Sequence, residues 1–228
     1  MRYLRLLVAA VVFAAGPVLA GPLDDGAGAH GRRDYATALK LFRPLAAKGD
    51  AEAQYSLGFM YANGQGVPKD DQQALFWFRK AAEQGDADAQ FALGFWYENG
   101  RGVPKDHQQA ASWYRKAAEQ GDVRSQLSLG DMYANGQGVP KDDQQALFWF
   151  RKAAEQGSAS AQIQLGVMYL KGEGLPKDRQ QAYFWSLLAS VSGDAGAIKF
   201  RDSIESTITP QQRAAAQADA RTWKPRKP

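Results

Sequence analysis

Apolar positions along this chain fall into short stretches with helical spacing, and polar positions mark where each stretch begins and ends. From Asp50 to Gly85, Leu57 and Tyr61 stand four apart on one face, and Ala74, Trp77, Phe78, Ala81 and Ala82 form a second stripe. Asp50 precedes the first stripe and Asp70 the second, each a helix cap, and Gln73 follows Asp70 at capping-box spacing. Asn63-Gly64 supplies a left-handed stop, Gly64 to Pro68 reverses the chain, and Gly85 ends the second helix. The pattern predicts two helices joined by a fixed turn.

The same pattern begins again at Asp86, Asp122 and Ser158, a period of 36 residues. The first and third copies match at 31 of 36 positions, and Met60 to Gly85 returns letter for letter as Met132 to Gly157. A period of this length predicts a stacked array in which each unit covers its neighbour's apolar face. Gly58, Gly94, Gly130 and Gly166 recur inside the first helices, where glycine costs about 1 kcal/mol against alanine. Their recurrence predicts close approach between backbones.

These residues carry a specific likeness. Ala53, Leu57, Gly58, Tyr61, Gly64, Gly66, Val67, Pro68, Asp70, Ala74, Trp77, Lys80, Ala81, Ala82 and Gly85 follow a pattern that resembles the Sel1-like repeat, a relative of the tetratricopeptide repeat. The resemblance covers about Asp34 to Gly193 and implies an all-α, right-handed α-solenoid superhelix of helix-turn-helix units. It implies a protein-interaction scaffold in the bacterial envelope, with first helices on the inner face. The fourth copy departs from the pattern at Leu175, Ser186, Leu187, Leu188 and Ser190, so a non-standard interface is expected at that end.

The array is flanked on both sides. Residues 1–20 have two arginines, an apolar run from Leu6 to Ala15 and a small-residue end at Ala20, the pattern of a secretory signal peptide. Residues 21–33 read as a flexible lead without periodicity. Residues 34–49 read as a lone second helix, a half repeat in which Ala38, Phe42 and Ala46 align with Ala74, Phe78 and Ala82 and Pro44 is expected to kink the chain. Four full repeats span 50–85, 86–121, 122–157 and 158–193. Residues 194–223 are expected to form capping helices, with Thr209-Pro210-Gln211-Gln212 starting the last one, and 224–228 a basic, disordered tail.

Composition narrows the functional classes. There is no cysteine, so the exported chain must hold together by packing, and aromatic residues at 11% supply the large side chains for the seams. The formal charge is +4; Arg2 and Arg5 account for two, and Arg221, Lys224, Arg226 and Lys227 for four more, which leaves minus two for 21–220. No basic stripe is visible, which argues against nucleic acid as a partner. The apolar run near the start is short for a membrane span, so no stable insertion is expected.

Candidate chemistry is sparse. His30 and His107 are the two histidines, and no metal or other cofactor is expected from them. The turn Gly64 to Asp70 holds two glycines and a lysine but lacks Walker A spacing and a preceding strand. Some proteins of the resembling family are linked to β-lactam binding or hydrolysis, so a β-lactam or cell-wall hydrolase is the alternative function. No Ser-x-x-Lys occurs to support it.

The informative positions are those at which near-identical copies differ. Copies one and three differ only in the first helix, at Ala51, Glu52, Ala53, Tyr55 and Phe59 against Val123, Arg124, Ser125, Leu127 and Asp131. The uniformly apolar row Tyr55, Phe91, Leu127 and Ile163 is expected to pack between repeats. The mixed row Phe59, Phe95, Asp131 and Val167, with Glu52, Asp88, Arg124 and Trp96, is the expected binding face for a protein or peptide on the concave side.

Overall fold

The computed structural model describes residues 21–226. Residues 1–20, expected to be a signal peptide, lie outside the described residues, as do Lys227 and Pro228. Among the described residues there are twelve α-helices, a short 3-10 turn at Ser190–Ser192, and no strand. In chain order the helices are α1 (Pro22–Gly31), α2 (Tyr35–Ala47), α3 (Ala51–Asn63), α4 (Asp71–Glu83), α5 (Ala87–Asn99), α6 (His107–Glu119), α7 (Val123–Asn135), α8 (Asp143–Glu155), α9 (Ala159–Lys171), α10 (Arg179–Ala189), α11 (Ala195–Glu205) and α12 (Pro210–Thr222). Each of α1 to α9 packs on the next helix in the chain, and α11 and α12 both rest on α10, giving an all-α solenoid with a capped end.

The helices start and stop where the polar positions predict. Asp50 accepts from the Ala53 amide at 2.8 Å, and Gly64 ends α3 in the left-handed conformation at φ 67°. Asp70 accepts from the amides of both Gln72 and Gln73. The reciprocal half of a capping box is not formed there; the aspartate takes both orphan donors itself. Thr209 and Gln212 do form the full box, with bonds of 3.0 and 3.2 Å in the two directions.

The recurrent helix glycines have a cause beyond the backbone approach expected. A Cβ on Gly58 would sit 2.8 Å from the Phe78 ring, on Gly94 2.5 Å from Tyr114, and on Gly130 2.5 Å from Phe150. The hydrogen-only position makes room first for an aromatic ring of the second helix, and the expected backbone approach is seen too, with the Ala74 carbonyl oxygen 3.2 Å from a Cβ on Gly58 and that of Ala182 3.3 Å from one on Gly166. Burying that ring contributes roughly 2 kcal/mol per repeat, more than the glycine's helix penalty.

The fourth copy has Ser186 where the others carry that ring. The space at Gly166 is filled instead by Phe200 of α11, which a Cβ there would meet at 2.8 Å. Ser186 turns inward to its own helix, donating to the Tyr183 carbonyl at 2.7 Å. The break in the repeat is therefore the socket for the terminal cap.

Two expectations are corrected. Residues 22–31 are helix, not a flexible lead, and α1 packs along α2. A Cβ on Gly26 would lie 2.6 Å from the Phe42 ring, as Gly58 faces Phe78, so α1–α2 is a whole helical pair. It was hidden because the step from Gly31 to Asp34 is three residues where that from Asn63 to Asp70 is seven, which shortens the period by four. Pro44 lies inside α2, three residues before its end at Ala47. The basic tail is seated as far as Arg226: its amide donates to the Glu155 carbonyl at 2.8 Å and its guanidinium pairs with the Glu155 carboxylate at 2.9 Å.

Candidate protein-binding face

The first helices α1, α3, α5, α7 and α9 form one layer and the second helices the other. Residues 36 apart occupy the same position on successive first helices, so rows of side chains run across the layer. The row Tyr55, Phe91, Leu127 and Ile163 is half-buried along its length. Tyr55 lies 5.7 Å from the Phe78 ring and Phe91 5.8 Å from the Tyr114 ring, as befits side chains that pack within the array.

The next row is more open. Phe59 is 39% exposed and Phe95 46%. Beside Phe59 is an open pocket of about 240 Å³, lined by Ala27 and His30 of α1, Phe42 of α2, and Tyr55, Ser56 and Phe59 of α3. His30 meets the Phe59 ring edge-on at 6.0 Å and is held by a 2.7 Å hydrogen bond to Gln65 Oε1. Sequence reading placed His30 in a flexible lead and so missed it; the signal was Gly26 at a shortened spacing from Phe42.

Farther along the row, Asp131 and Val167 are half-buried and line a polar pocket of about 280 Å³ with Lys141, Gln164 and Lys171. Gln164 donates to Asp131 at 3.2 Å. Burial, with the charge of Glu98 adding to it, lifts the Asp131 carboxyl from its ordinary 3.8 to about 6. Burial first, then the nearby Asp88 carboxylate, also raises Tyr55.

Glu52, Asp88 and Arg124 stand exposed at the starts of α3, α5 and α7. Arg124 bridges Asp88 of the previous repeat and Asp122 of its own, and its guanidinium lies 4.2 Å from the Phe91 ring centre. Trp96 does not belong to this surface. It is 4% exposed, packs edge-on against Phe78 at 5.4 Å, and is covered by Arg101 at 4.2 Å. Where the other copies have the slimmer methionine, Trp96 fills the seam between two repeats.

The second-helix layer carries aromatic residues that sequence reading did not single out. Phe76 and Phe148 are each 48% exposed, yet both are partnered within the chain. Lys80 lies 5.0 Å over Phe76, Lys152 5.2 Å over Phe148, and Lys116 4.0 Å over Trp113. Among the described residues no His, Asp or Glu cluster could hold a metal, and no helix is long and apolar enough to cross a membrane.

The family model described as Sel1 repeat matches residues 21–50, 51–86, 87–122, 123–158 and 159–194. Its first match takes in α1 and α2 together, as the packing does. Among solved structures the chain is similar to a Sel1 repeat protein from Oxalobacter formigenes, with 36% identity and a TM-score of 0.74 over 78% of this chain and 73% of that one. It is also similar to c5321, a protective antigen of uropathogenic Escherichia coli strains with an SLR fold. There the identity is 34% and the TM-score 0.53, over 83% of this chain and 49% of that one, so the match spans about half of c5321. Among curated proteins no match is found.

Proposed function

This chain belongs to the Sel1 repeat family, and we propose that it is a non-enzymatic scaffold of the bacterial envelope that captures a protein or peptide segment on its first-helix face. Sel1 repeats typically mediate protein–protein interaction and are generally non-catalytic, which sets the class of function. The observation that carries the reading is the apolar pocket beside Phe59, with Phe95 exposed at the equivalent position one repeat on. Exposed aromatic side chains next to a preformed pocket are the usual anchors of an interface.

A rigid array suits this task, since the helices are fixed by neighbours on both sides and little ordering is required on binding. Export is part of the proposal and is supported by the character of residues 1–20.

The test is affinity capture from envelope extract with the chain, beside a Phe59→Ala/Phe95→Ala variant shown by circular dichroism to be folded. A partner retained only by the unmodified chain supports the proposal. Equal retention by both would move the site off this face. Turnover of nitrocefin by the purified chain would overturn the non-enzymatic reading.

A further inference from the structure

Resting on the interaction face proposed above, we infer that the segment it captures is cationic, with lysine or arginine flanking one large apolar side chain.

The first argument is the distribution of charge between the two layers. Helices α1, α3, α5, α7 and α9 carry six Asp or Glu and two Lys or Arg, a net of minus four. Helices α2, α4, α6, α8 and α10 carry five and nine, a net of plus four. The whole chain is close to neutral between its ends, so the polarity is a property of the fold, invisible in the overall composition. Of the two cations in the first-helix layer, Arg124 is taken up by Asp88 and Asp122, and Lys171 lies at the far end. A basic segment is drawn to this face and turned away from the other.

The second argument comes from the rings. In the second-helix layer the exposed aromatics Phe76 and Phe148 have lysine ammonium groups of their own chain over them. Among the described residues no cation of the chain lies over Phe59 or Phe95, although both rings are exposed and Glu52 and Asp88 stand on the same helices. A partner's guanidinium or ammonium placed there gains the ring face, and a second cation about 10 Å back along α3 gains the Glu52 carboxylate, free among the described residues, since Asp88 is already paired with Arg124. The pocket beside Phe59, floored by Phe42, takes the apolar side chain.

The experiment is selection of a random-peptide display library on the purified chain, followed by anisotropy titration of one enriched peptide after synthesis. Enriched peptides are expected to carry net positive charge and a Phe, Trp, Leu or Tyr. Affinity is expected to fall about tenfold between roughly 50 and 500 mM NaCl, since exposed charges are screened over that range. It is also expected to fall about fivefold in Glu52→Gln/Asp131→Asn and to be lost in Phe59→Ala/Phe95→Ala. Enrichment of acidic or uncharged peptides, salt-independent binding, or no enrichment would overturn the inference. The envelope capture separates this from the underlying reading: a partner held through Phe59 and Phe95 whose retention ignores salt and the Glu52/Asp131 substitutions defeats the cationic class alone. A partner indifferent to Phe59 and Phe95 defeats the face itself.

Discussion

The side-chain amide of Gln84, at the end of α4, donates to the side-chain oxygen of Gln54 in α3 at 2.7 Å. Gln54 in turn donates to the carbonyl of Ala46, at the end of the preceding repeat, at 3.0 Å. The same pair recurs as Gln120 with Gln90 and as Gln156 with Gln126, and in these two copies the second-helix glutamine also reaches a glycine carbonyl one repeat back. The first-helix glutamines are almost wholly buried. The chain of amides thus satisfies helix-end carbonyls that would otherwise be stranded at each seam, and it joins neighbouring repeats. It stops at Gln162, because Ser192 stands where a further glutamine donor would be.

This arrangement predicts that Gln126→Ala lowers stability by about 1–3 kcal/mol, the cost of stranding a buried carbonyl and an amide together. Gln162→Ala, at the end of the ladder, is expected to cost less because no glutamine donor depends on it. Urea unfolding midpoints of the two variants compare them directly. Equal midpoints would mean that the ladder contributes nothing beyond its individual bonds.

Turn glycines separate strain from collision. Gly85 has φ 99° and open space within 4 Å of the position a Cβ would take, so Gly85→Ala is expected to cost about 1–2 kcal/mol from the backbone alone. Gly138 has φ 70°, and a Cβ there would lie 2.1 Å from the His107 carbonyl oxygen, where the third turn lies against the start of α6. Gly138→Ala therefore requires the turn to move away from the neighbouring repeat. A loss clearly larger than that of Gly85→Ala is expected in thermal melts, with faster amide exchange around α6; equal losses would show that the turn shifts freely.

Legibility followed repetition. The helix pairs, their caps and the left-handed stops were readable because each was written four times at one spacing. The pair α1–α2 was lost for the same reason, since a turn shorter by four residues took Gly26 and His30 out of register. Trp96 was ambiguous because a tryptophan replacing methionine looks alike whether it fills a seam or faces a ligand; only the position of Arg101 and Phe78 decides it. Gln54 and its counterparts were present in every copy, but a glutamine in a helix carries no periodic signal, so their burial and bonding had to come from packing.

A substitution private to the second repeat has its compensation nearby. Tyr114 stands where the flanking copies have Phe78 and Phe150, and its hydroxyl donates to Glu98 at 2.6 Å, where those copies have Ala62 and Ala134. Tyr114 is fully buried, and burial together with the Glu98 bond drives its hydroxyl well above the ordinary tyrosine range. Glu98→Ala alone is expected to cost about 1–2 kcal/mol by leaving that hydroxyl without its carboxylate. Adding Tyr114→Phe, which restores the pattern of the other copies, is expected to recover most of the loss. A double-mutant cycle by chemical denaturation measures the coupling, and additive effects would show that the two residues act independently.

The raised Asp131 carboxyl makes stability depend on pH in a defined direction. With a value of about 6 in the fold against an ordinary 3.8, the folded chain holds a proton between those limits that the unfolded chain releases. Stability from this group is therefore highest in acid, falls as pH rises through that window, and stays low above it. Asp131→Asn, which mimics the protonated form, is expected to raise the melting temperature at about pH 8 and to match the parent near pH 4. Gln164 works against the shift by donating to the charged form, so Gln164→Leu is expected to move the midpoint higher still. Carboxyl carbon NMR across roughly pH 3 to 8 reads the midpoint directly. A value near the ordinary 3.8 would mean that Lys141 and Lys171, which line the same pocket with their ion-pair partners Asp143 and Glu173, turn toward Asp131 in solution and offset burial and the Glu98 charge, and that Asp131 is a fixed anion of the binding face at every pH of interest.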